Sequence, residues 1–386
     1  MSSSWVDPLL YCVASLFFLI SVHMLWHLRW AKRLPARTSL NDKSLESVPL
    51  ISVVLAARDE AARIEKTVRH LLAQQEITVE VIVVDDRSTD ETGEILRRLA
   101  AEDARLKVIR VEMLPPEWLG KCHACHVGSL AATGEWILFT DADCWLERDV
   151  IIRALRTAAR ERADHITLTP GIEPESTGTA AWHLVFLLSL ANWFSGVNRD
   201  RPNRFLGMGA FNFLRASAYR SCGGYEALRL TVVDDVKLGL LLRRSGFRTR
   251  GFIGGGDTLC HWGTTLGKMI RIMEKNCFAA IDYRLGVALA IGVVVPVFWG
   301  AALLGPLTGS VGGLLAGFSV LSLCIPATAA ARRLGWSMVP ALFAPFVFPL
   351  LSYAVLNSTF VTLSRGGIRW RDTFYPLELL RKGNVQ

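Results

Sequence analysis

The sequence predicts an α/β fold with a mostly parallel sheet, accompanied by α-helical transmembrane segments. Between residues 49 and 284, short β-rich runs alternate with amphipathic helical runs, which is the pattern of a parallel sheet covered by helices. Two later stretches, 286–331 and 334–364, contain no Asp, Glu, Lys or Arg. Another apolar run, 9–28, precedes the α/β region. Since about 20 helical residues cross the hydrocarbon core of a bilayer, these runs predict membrane helices.

The composition excludes several classes of protein. Of the 386 residues, 51% are hydrophobic and no repeat is sustained, which excludes a disordered, collagenous or coiled-coil chain. Eight cysteines are scattered rather than regularly spaced, which argues against a disulfide framework and predicts a reducing compartment. The net charge is +8, and part of the basic surplus lies beside the apolar runs. This placement favours contact with anionic lipid and predicts no nucleic-acid partner.

The charge pattern divides the chain into four predicted segments. Residues 1–30 form an uncleaved transmembrane anchor, because basic residues rather than a small-residue cleavage site follow the apolar run. The positive-inside bias then places the domain at 49–284 in the cytoplasm. Residues 285–363 form transmembrane or re-entrant helices, and 364–386 form a basic cytoplasmic tail. We expect a multi-pass protein of the cell inner membrane.

Two apolar segments need a separate interpretation. The run 180–194 is too short to span a bilayer comfortably, so it predicts a core helix or, in preference, an interfacial helix. The last block contains Pro340, Pro345 and Pro349 and is followed by a basic tail. These features favour re-entry, with the chain leaving the membrane on the cytoplasmic side.

The α/β region predicts elements in alternation. We expect helices at 60–74, 89–101, 122–132 and 149–162. We expect strands at 51–57, 79–86, 106–112, 135–143 and 165–169. Ligands of such sheets bind beyond the carboxyl ends of the strands. The acids at the ends of two strands, Asp85, Asp86, Asp141 and Asp143, are therefore expected to converge.

The Asp141-Ala-Asp143 sequence is the first candidate for a metal site. Side chains two residues apart in a strand lie on one face, so both carboxylates would point the same way. Two hard oxygen ligands suit Mg²⁺ or Mn²⁺, and the remaining positions of the metal suit a diphosphate. The alternative is two solvated turn acids without a ligand.

Five motifs occur in a fixed order and together carry a resemblance. They are VVDDRSTDET after the second strand, GK at 120–121, DAD at 141–143, GMGAFNFLRASAYRSCGGYE at 207–226 and VVDDVKLG at 232–239. The series resembles the family 2 glycosyltransferases, which have the GT-A nucleotide-sugar-binding fold, over roughly 49–284. The membrane arrangement and the tail GGIRWRDTFYPL resemble the ceramide-glucosyltransferase-like branch, which includes hopanoid- and carotenoid-associated transferases.

The resemblance implies roles in donor binding. The residues that would line the uracil pocket are Ala57, Arg58, Asp59 and Asp86. Lys121 would help to hold the nucleotide. The family often has Asn at the position of Asp59. Asp141 would lie near the ribose and the metal, and Asp143 would bind the metal. For Lys121 the alternative is an exposed lysine at a helix start. The Gly207–Gly209 segment would allow close approach of the sugar or the acceptor.

The resemblance also implies a catalytic base. Asp234-Asp235 stands where the family has a Glu-Asp pair whose second acid takes the proton of the acceptor hydroxyl, which makes Asp235 the base. The alternative is helix capping, because an Asp before VKLGLLLRR is a good N-cap. Asp234 is the expected cap, with a part in orienting the site.

These inferences predict a hexosyltransferase that moves one sugar from a nucleotide-sugar, UDP-linked, to a lipid or other hydrophobic acceptor with inversion and with Mg²⁺ or Mn²⁺. One alternative is a processive polysaccharide synthase, but the stretch from Lys268 to Ile272 lacks the tryptophan of the processive motif. Another is a membrane redox protein that uses Cys122-x-x-Cys125-His126, a pattern typical of haem attachment or, less directly, of zinc. No second ligand pair lies near this pattern, which disfavours it.

Overall fold

The computed structural model describes residues 6–36, 47–261 and 265–385, and the chain forms two compact units. The α/β unit comprises Lys32–Glu173, Gly196–Trp262 and Lys382–Gln386. The helical unit comprises Met1–Ala31, Pro174–Ser195 and Gly263–Arg381. Residues 1–5 of the predicted anchor, 262–264 of the predicted catalytic domain and 386 of the predicted tail lie outside the described residues, as does the stretch 37–46 between the anchor and the domain.

The strands in chain order are β1 Ile51–Ala57, β2 Val79–Asp86, β3 Leu106–Val111, β4 Trp136–Phe139, β5 Cys144–Leu146, β6 His165–Thr169, β7 Asn212–Arg215, β8 Thr249–Ile253, β9 Thr258–Cys260, β10 Gly367–Trp370 and β11 Thr373–Pro376. The helices are α1 Val6–Leu28, α2 Ile64–Leu72, α3 Thr92–Glu102, α4 Gly120–Leu130, α5 Val150–Glu161, α6 Thr177–Asn198, α7 Ala216–Ser221, α8 Gly224–Ala227, α9 Asp234–Arg244, α10 Leu266–Ala280, α11 Leu285–Leu289, α12 Val295–Leu304, α13 Val311–Leu321, α14 Cys324–Leu334, α15 Val339–Ser364 and α16 Leu377–Gly383. A π-helical turn, Ala290–Val294, joins α11 to α12.

Seven strands form one sheet in the order β3-β2-β1-β4-β7-β6-β8. All neighbouring pairs are parallel except β4 with β7 and β6 with β7, so the predicted mostly parallel α/β sheet is confirmed. The residues of β1 and β2 are buried almost throughout, as their continuous Val, Ile and Leu content requires in a sheet covered on both faces. Helix α2 buries Ile64, Val68 and Leu71, spaced as one helical face.

Five helices of the described chain are long and apolar enough to cross a membrane: Val6–Leu28, Thr177–Asn198, Leu285–Thr308, Val311–Leu334 and Val339–Ser364. The second is longer than the apolar run that predicted it, because polar residues on both sides continue the helix. Its 22 residues reach the length of a membrane span, although a shorter helix was predicted. Most of the run is buried inside the protein, which agrees with the core-helix alternative and not with the preferred interfacial helix.

The last apolar block does not turn back on itself. Val339–Ser364 is one helix of 26 residues with Pro345 and Pro349 inside it. The prolines do not end the helix, because prolines bend or weaken a long apolar helix without necessarily breaking it where neighbouring helices supply partners for the freed carbonyls. One such carbonyl, that of Pro345, accepts a hydrogen bond from Trp299 Nε1 at 2.8 Å. The exit of the chain on the cytoplasmic side stays a prediction.

The end of the chain returns to the α/β unit. A hairpin of β10 and β11 follows α15, and α16 follows the hairpin. At the end of α16, Gly383 packs so closely against Leu230 that a Cβ atom at this glycine would lie 2.6 Å from Leu230 Cδ1. The last described residues therefore belong to the α/β unit.

Candidate active site

The carboxyl ends of β1 and β2 bring together the residues predicted to bind the nucleotide base. Ala57 pairs with Asp85 in the register of these strands. The next acid, Asp86, is buried and accepts hydrogen bonds at 2.7 and 3.0 Å from Nε and Nη2 of Arg87. Asp85 instead forms an ion pair with Arg110 at 2.8 Å. Asp86 is thus the acid that faces the Gly120 backbone, where a Cβ atom would touch its carboxylate.

Arg58 and Asp59 directly follow β1, at the same edge of the sheet as Asp85 and Asp86. Asp59 has a left-handed backbone with a φ of 53°, a region that Asp and Asn tolerate better than most residues. Its Oδ1 accepts hydrogen bonds from the N–H of Thr89 at 2.8 Å and from the Thr89 hydroxyl at 3.2 Å. These contacts join the ends of β1 and β2, and they need an acceptor that Asn would also supply.

The DAD residues lie in a turn and not at a strand end as predicted. Strand β4 ends at Phe139, and Asp141 to Asp143 form the turn that leads into β5. A carboxylate oxygen of each acid and the sulfur of Cys144 all lie within 4.8 Å of one another. Burial, followed by the charge of Asp141, raises the pKa of Asp143 to about 7. Two carboxylates this close supply hard oxygen donors that fit a divalent cation, and Asp141 and Asp143 would hold it.

Lys121 connects the DAD turn to the second acidic pair. Its Nζ lies 2.7 Å from Asp141 Oδ1 and 3.7 Å from Asp234 Oδ2, and its side chain is 23% exposed. Burial acts to lower the pKa of Lys121, but the carboxylates of Asp141, Asp234 and Asp235 outweigh it and raise this pKa well above its ordinary value. The alternative of a solvated lysine at a helix start is wrong, because α4 directs the ammonium group into the acids.

The two acids of the VVDD motif have different surroundings. Asp234 is buried, and its Oδ2 accepts a hydrogen bond from the Tyr225 hydroxyl at 3.0 Å. Asp235 accepts hydrogen bonds from the N–H groups of Gly209 at 2.7 Å and Val236 at 2.8 Å. Burial, followed by the charge of Asp234, raises the pKa of Asp235 to about 6. A carboxylate that ionises just below neutral pH is suited to accept a proton.

The capping alternative for Asp234 is wrong. Both acids belong to the first turn of α9, and the N-cap is Val233, for which no side-chain cap bond forms. The carboxylate of Asp234 is instead occupied by Tyr225 and Lys121.

Glycines in the GMG segment allow the two acidic pairs to approach each other. A Cβ atom on Gly209 would lie 2.6 Å from Asp141 Oδ2 and 3.3 Å from Lys121 Nζ. A Cβ atom on Gly207 would overlap the backbone carbonyl of Asp235. The structure therefore gives these glycines a role in packing the site itself, distinct from the predicted approach of sugar or acceptor.

Comparison with known proteins identifies the family of part of the α/β unit. Residues 52–223 match the model of Glycosyl transferase family 2. These residues form a family 2 glycosyltransferase domain. The chain is 26% identical over 216 residues to the 4,4'-diaponeurosporenoate glycosyltransferase of Staphylococcus haemolyticus, covering 55% of this chain and 56% of that protein. It is 29% identical over 201 residues to the beta-monoglucosyldiacylglycerol synthase of a Nostoc species, covering 50% and 41%.

A solved structure supports the fold assignment. The mannosyltransferase PcManGT of Pyrobaculum calidifontis, in complex with GDP-Man and Mn²⁺, is similar with a TM-score of 0.56 and 16% identity, over 93% of this chain and 99% of that one. The predicted GT-A fold is confirmed by this likeness and by the sheet. The chain spans about half the length of the curated relatives it matches.

The glycosyltransferase domain contains site residues that the sequence analysis missed. Arg87 holds both oxygens of Asp86, and Tyr225 donates to Asp234. The amide oxygen of Asn212 accepts the N–H of Met208 at 3.1 Å, and its amide nitrogen lies 3.5 Å from the Asp235 carbonyl. Tyr225 and Asn212 lie inside the GMGAFNF…GGYE motif, and this position was the one feature of the sequence that could have indicated a role in the site.

The side chains of the Cys122-x-x-Cys125-His126 pattern pack against neighbouring residues of the protein. Both cysteines are buried on α4, and Cys122 Sγ contacts the Thr231 carbonyl oxygen at 3.5 Å. Burial raises the pKa of the Cys125 thiol to about 12, which disfavours the thiolate that a metal requires. The ring of His126 packs 5.1 Å from that of Trp118. In the part of the chain that the structure describes, no metal-binding cluster includes these residues.

Two of the eight cysteines form a disulfide in the α/β unit. Cys144 and Cys260 form a disulfide, although they are 116 residues apart in sequence. They are partners in the antiparallel register of β5 and β9, directly beside the DAD turn. Cysteine spacing does not indicate this pair, because the tertiary pairing of two short strands brings the two residues together. The sulfur of Cys144 is consequently not a metal ligand in this state.

Proposed function

We propose that this protein transfers one sugar from a UDP-linked nucleotide-sugar to a lipid acceptor, with inversion at the anomeric carbon. The observation that carries the proposal is the Lys121 ammonium group, which contacts an acid of the DAD turn and an acid of the VVDD pair. This contact supports the proposal, because one of its acids belongs to the predicted donor-binding residues and the other to the predicted base pair. The lipid acceptor is supported by the names of the relatives, which refer to diaponeurosporenoate and diacylglycerol.

In the proposed reaction, Asp235 takes the proton of the acceptor hydroxyl as its oxygen bonds to the anomeric carbon. The bond from that carbon to the diphosphate oxygen breaks on the opposite face, and the diphosphate leaves with the electron pair. The Gly209 and Val236 N–H groups orient the Asp235 carboxylate for this step. Lys121 lies where its positive charge would offset negative charge on the leaving group.

Mg²⁺ or Mn²⁺, when bound, would neutralise charge on the diphosphate. Asp141 and Asp143 are the residues that would hold the ion, and Asp86 with Asp59 and Arg58 would line the base pocket. We further propose that the membrane helices place the reaction at the cytoplasmic face of the inner membrane, as in the ceramide-glucosyltransferase-like branch. The five apolar helices of the described chain support this location.

The donor and acceptor can be tested together. Membranes that contain the protein are incubated with a panel of radiolabelled nucleotide-sugars, and the lipid extract is separated. We expect one UDP-sugar to label one lipid class with a single sugar, and we expect chelation of divalent ions to prevent labelling. Labelled polymer instead of a single-sugar lipid would contradict single transfer, and absence of label from any donor would contradict the activity.

The metal assignment has its own test. Asp143→Ala removes one of the two carboxylates of the DAD turn, so metal-dependent donor binding should be lost. The affinity for the UDP-sugar is measured with and without Mn²⁺. The matched control is Asp103→Ala, which removes a surface acid paired with Arg105 at 2.7 Å, away from the site. An unchanged Mn²⁺ effect in Asp143→Ala would count against the assignment.

A further inference from the structure

A cavity in the helical unit is separate from the glycosyltransferase site. It has a volume of about 480 Å³ and is lined by Arg365, Arg369 and Phe374. This volume lies in the range of about 300–1,000 Å³ typical of ligand pockets. Arg365 directly follows the apolar helix Val339–Ser364, and the other two residues belong to the hairpin after it.

The hairpin register explains why the cavity has both a charged and an apolar wall. Arg369 lies directly opposite Phe374, so both side chains are on one face of the hairpin. The adjacent pair, Ile368 opposite Tyr375, points to the other face and is buried. As a result Arg369 is exposed, and 45% of the surface of Phe374 is exposed beside it.

The charge of the cavity is positive and only partly neutralised. Arg365 pairs with Glu274 at 3.0 Å through one of its guanidinium nitrogens. Within the described ranges, no carboxylate lies at ion-pair distance from Arg369. A guanidinium group binds phosphate oxygens through two parallel N–H donors, which makes phosphate a suitable ligand.

We propose that Arg365, Arg369 and Phe374 form a binding site for the headgroup of an anionic membrane phospholipid. The site begins at the end of a helix of 26 residues that contains no Asp, Glu, Lys or Arg, at the depth where lipid phosphates and interfacial aromatic rings are found. The two guanidinium groups bind the phosphate, and Phe374 packs against the carbons next to it. A free phosphate ion has no carbons for Phe374 to contact. The inference does not depend on the proposed sugar transfer, because it concerns binding alone.

The test measures lipid binding to the purified full chain in an uncharged detergent. Native mass spectrometry compares retention of dioctanoyl phosphatidylglycerol, which is anionic, with that of zwitterionic dioctanoyl phosphatidylcholine. Inorganic phosphate is added as a competitor. Each basic residue near an anionic lipid surface contributes a factor of roughly five in affinity, so we expect at least this preference for the anionic lipid.

Variants separate the proposed site from general surface charge. Arg369→Gln should remove roughly fivefold of the preference, and Phe374→Ala should weaken binding of both lipids. Arg371→Gln is the matched control, because this exposed arginine of the same hairpin does not line the cavity. If Arg369→Gln lowers the melting temperature, Arg365→Gln tests the other wall and should reduce the preference in the same way.

Three results would overturn the proposal. Equal retention of the two lipids by the unaltered chain would show that the cavity does not select an anionic headgroup. An equal loss in Arg371→Gln and Arg369→Gln would show that diffuse charge, and not this cavity, attracts lipid. Displacement of the anionic lipid by inorganic phosphate at equal concentration would show a site for the free ion.

Discussion

At the scale of single residues, the site depends on one ammonium group surrounded by carboxylates. Lys121 contacts Asp141 and Asp234, and its raised pKa keeps it charged. Without this cation, mutual repulsion would favour protonated acids, because like charges within a few ångströms raise each other's pKa. The lysine therefore lets Asp235 ionise near neutral pH despite its burial, since it lowers the pKa of that acid.

The base can be tested by Asp235→Asn. We expect turnover to fall about 10²–10⁴-fold, the usual contribution of general-base catalysis, because the amide cannot accept the proton of the acceptor hydroxyl. Donor binding should stay close to normal, since the side chain keeps its size and one oxygen acceptor for the Gly209 or Val236 N–H group. Turnover in a lipid-acceptor assay and UDP-sugar affinity are measured on the same preparation.

Asp234→Asn is the paired control for this prediction. It keeps an acceptor for the Tyr225 hydroxyl but removes a buried charge that contacts Lys121. We expect a smaller loss of turnover and a lower melting temperature. Near-normal turnover in Asp235→Asn would rule out Asp235 as the base.

The pKa of Asp235 also predicts a pH dependence. Burial and the neighbouring Asp234 raise this pKa to about 6, and only the ionised carboxylate acts as a base. Transfer should therefore be constant above this value and fall as the pH drops through about 6. The measurement is kcat/KM for the acceptor at saturating donor and metal, which hold the DAD carboxylates ionised. A rate that stays constant down to pH 4 would contradict the prediction.

At the scale of elements, one antiparallel strand completes the site. Strand β7 runs antiparallel to β4, with Phe139 paired to Asn212. The carboxyl end of β4 therefore meets the amino end of β7, which places the DAD turn beside the GMG segment that precedes β7. In an all-parallel sheet these two segments would lie at opposite edges.

The pairing of β5 with β9 predicts a redox effect on stability. The disulfide between Cys144 and Cys260 closes a loop of more than 100 residues, and such links contribute about 2–4 kcal/mol to the free energy of unfolding. A reductant should lower the melting temperature of the oxidised protein by roughly 5–15 °C. Cys144→Ser should melt at one temperature with and without reductant.

Cys12→Ser serves as the control, because this free cysteine lies on α1, away from the disulfide. It should keep the response to reductant. An equal response in Cys144→Ser would show that the effect comes from another thiol.

At the scale of the whole molecule, the last residues of the chain belong to the α/β unit, where Gly383 packs against Leu230. We therefore expect the C-terminus to lie on the same side of the membrane as that unit. A green fluorescent protein fused to the C-terminus should fluoresce, because it folds only in the cytoplasm, where we propose that the α/β unit lies. An alkaline phosphatase fused after Thr308, in the loop before α13, should be active outside the membrane. An active phosphatase at the C-terminus would contradict this arrangement.

Much of the fold was predictable because its signals are local. The bounds of β1, β2 and β6 agree with the predicted 51–57, 79–86 and 165–169, since continuous apolar β-branched runs between polar segments specify buried parallel strands. The long apolar helices were predictable for the same reason, as a long uncharged run has few other stable structures. The length of α6 and the continuity of α15 through its prolines were not predictable, because helix length and proline tolerance depend on what packs around the helix.

The sequence by itself determined the class of fold, the order of the acidic motifs and the residues that could carry the chemistry. Only the tertiary structure decided how those residues act on one another. In the folded chain, the Lys121 ammonium group contacts the carboxylate of Asp141. The Asp234 carboxylate accepts a hydrogen bond from Tyr225 instead of capping a helix, and Cys144 forms a disulfide with Cys260. The physical reason is that periodicity and composition act over a few residues, whereas ion pairs, glycine contacts and strand pairing depend on atoms that the chain brings together from positions up to 100 or more residues apart.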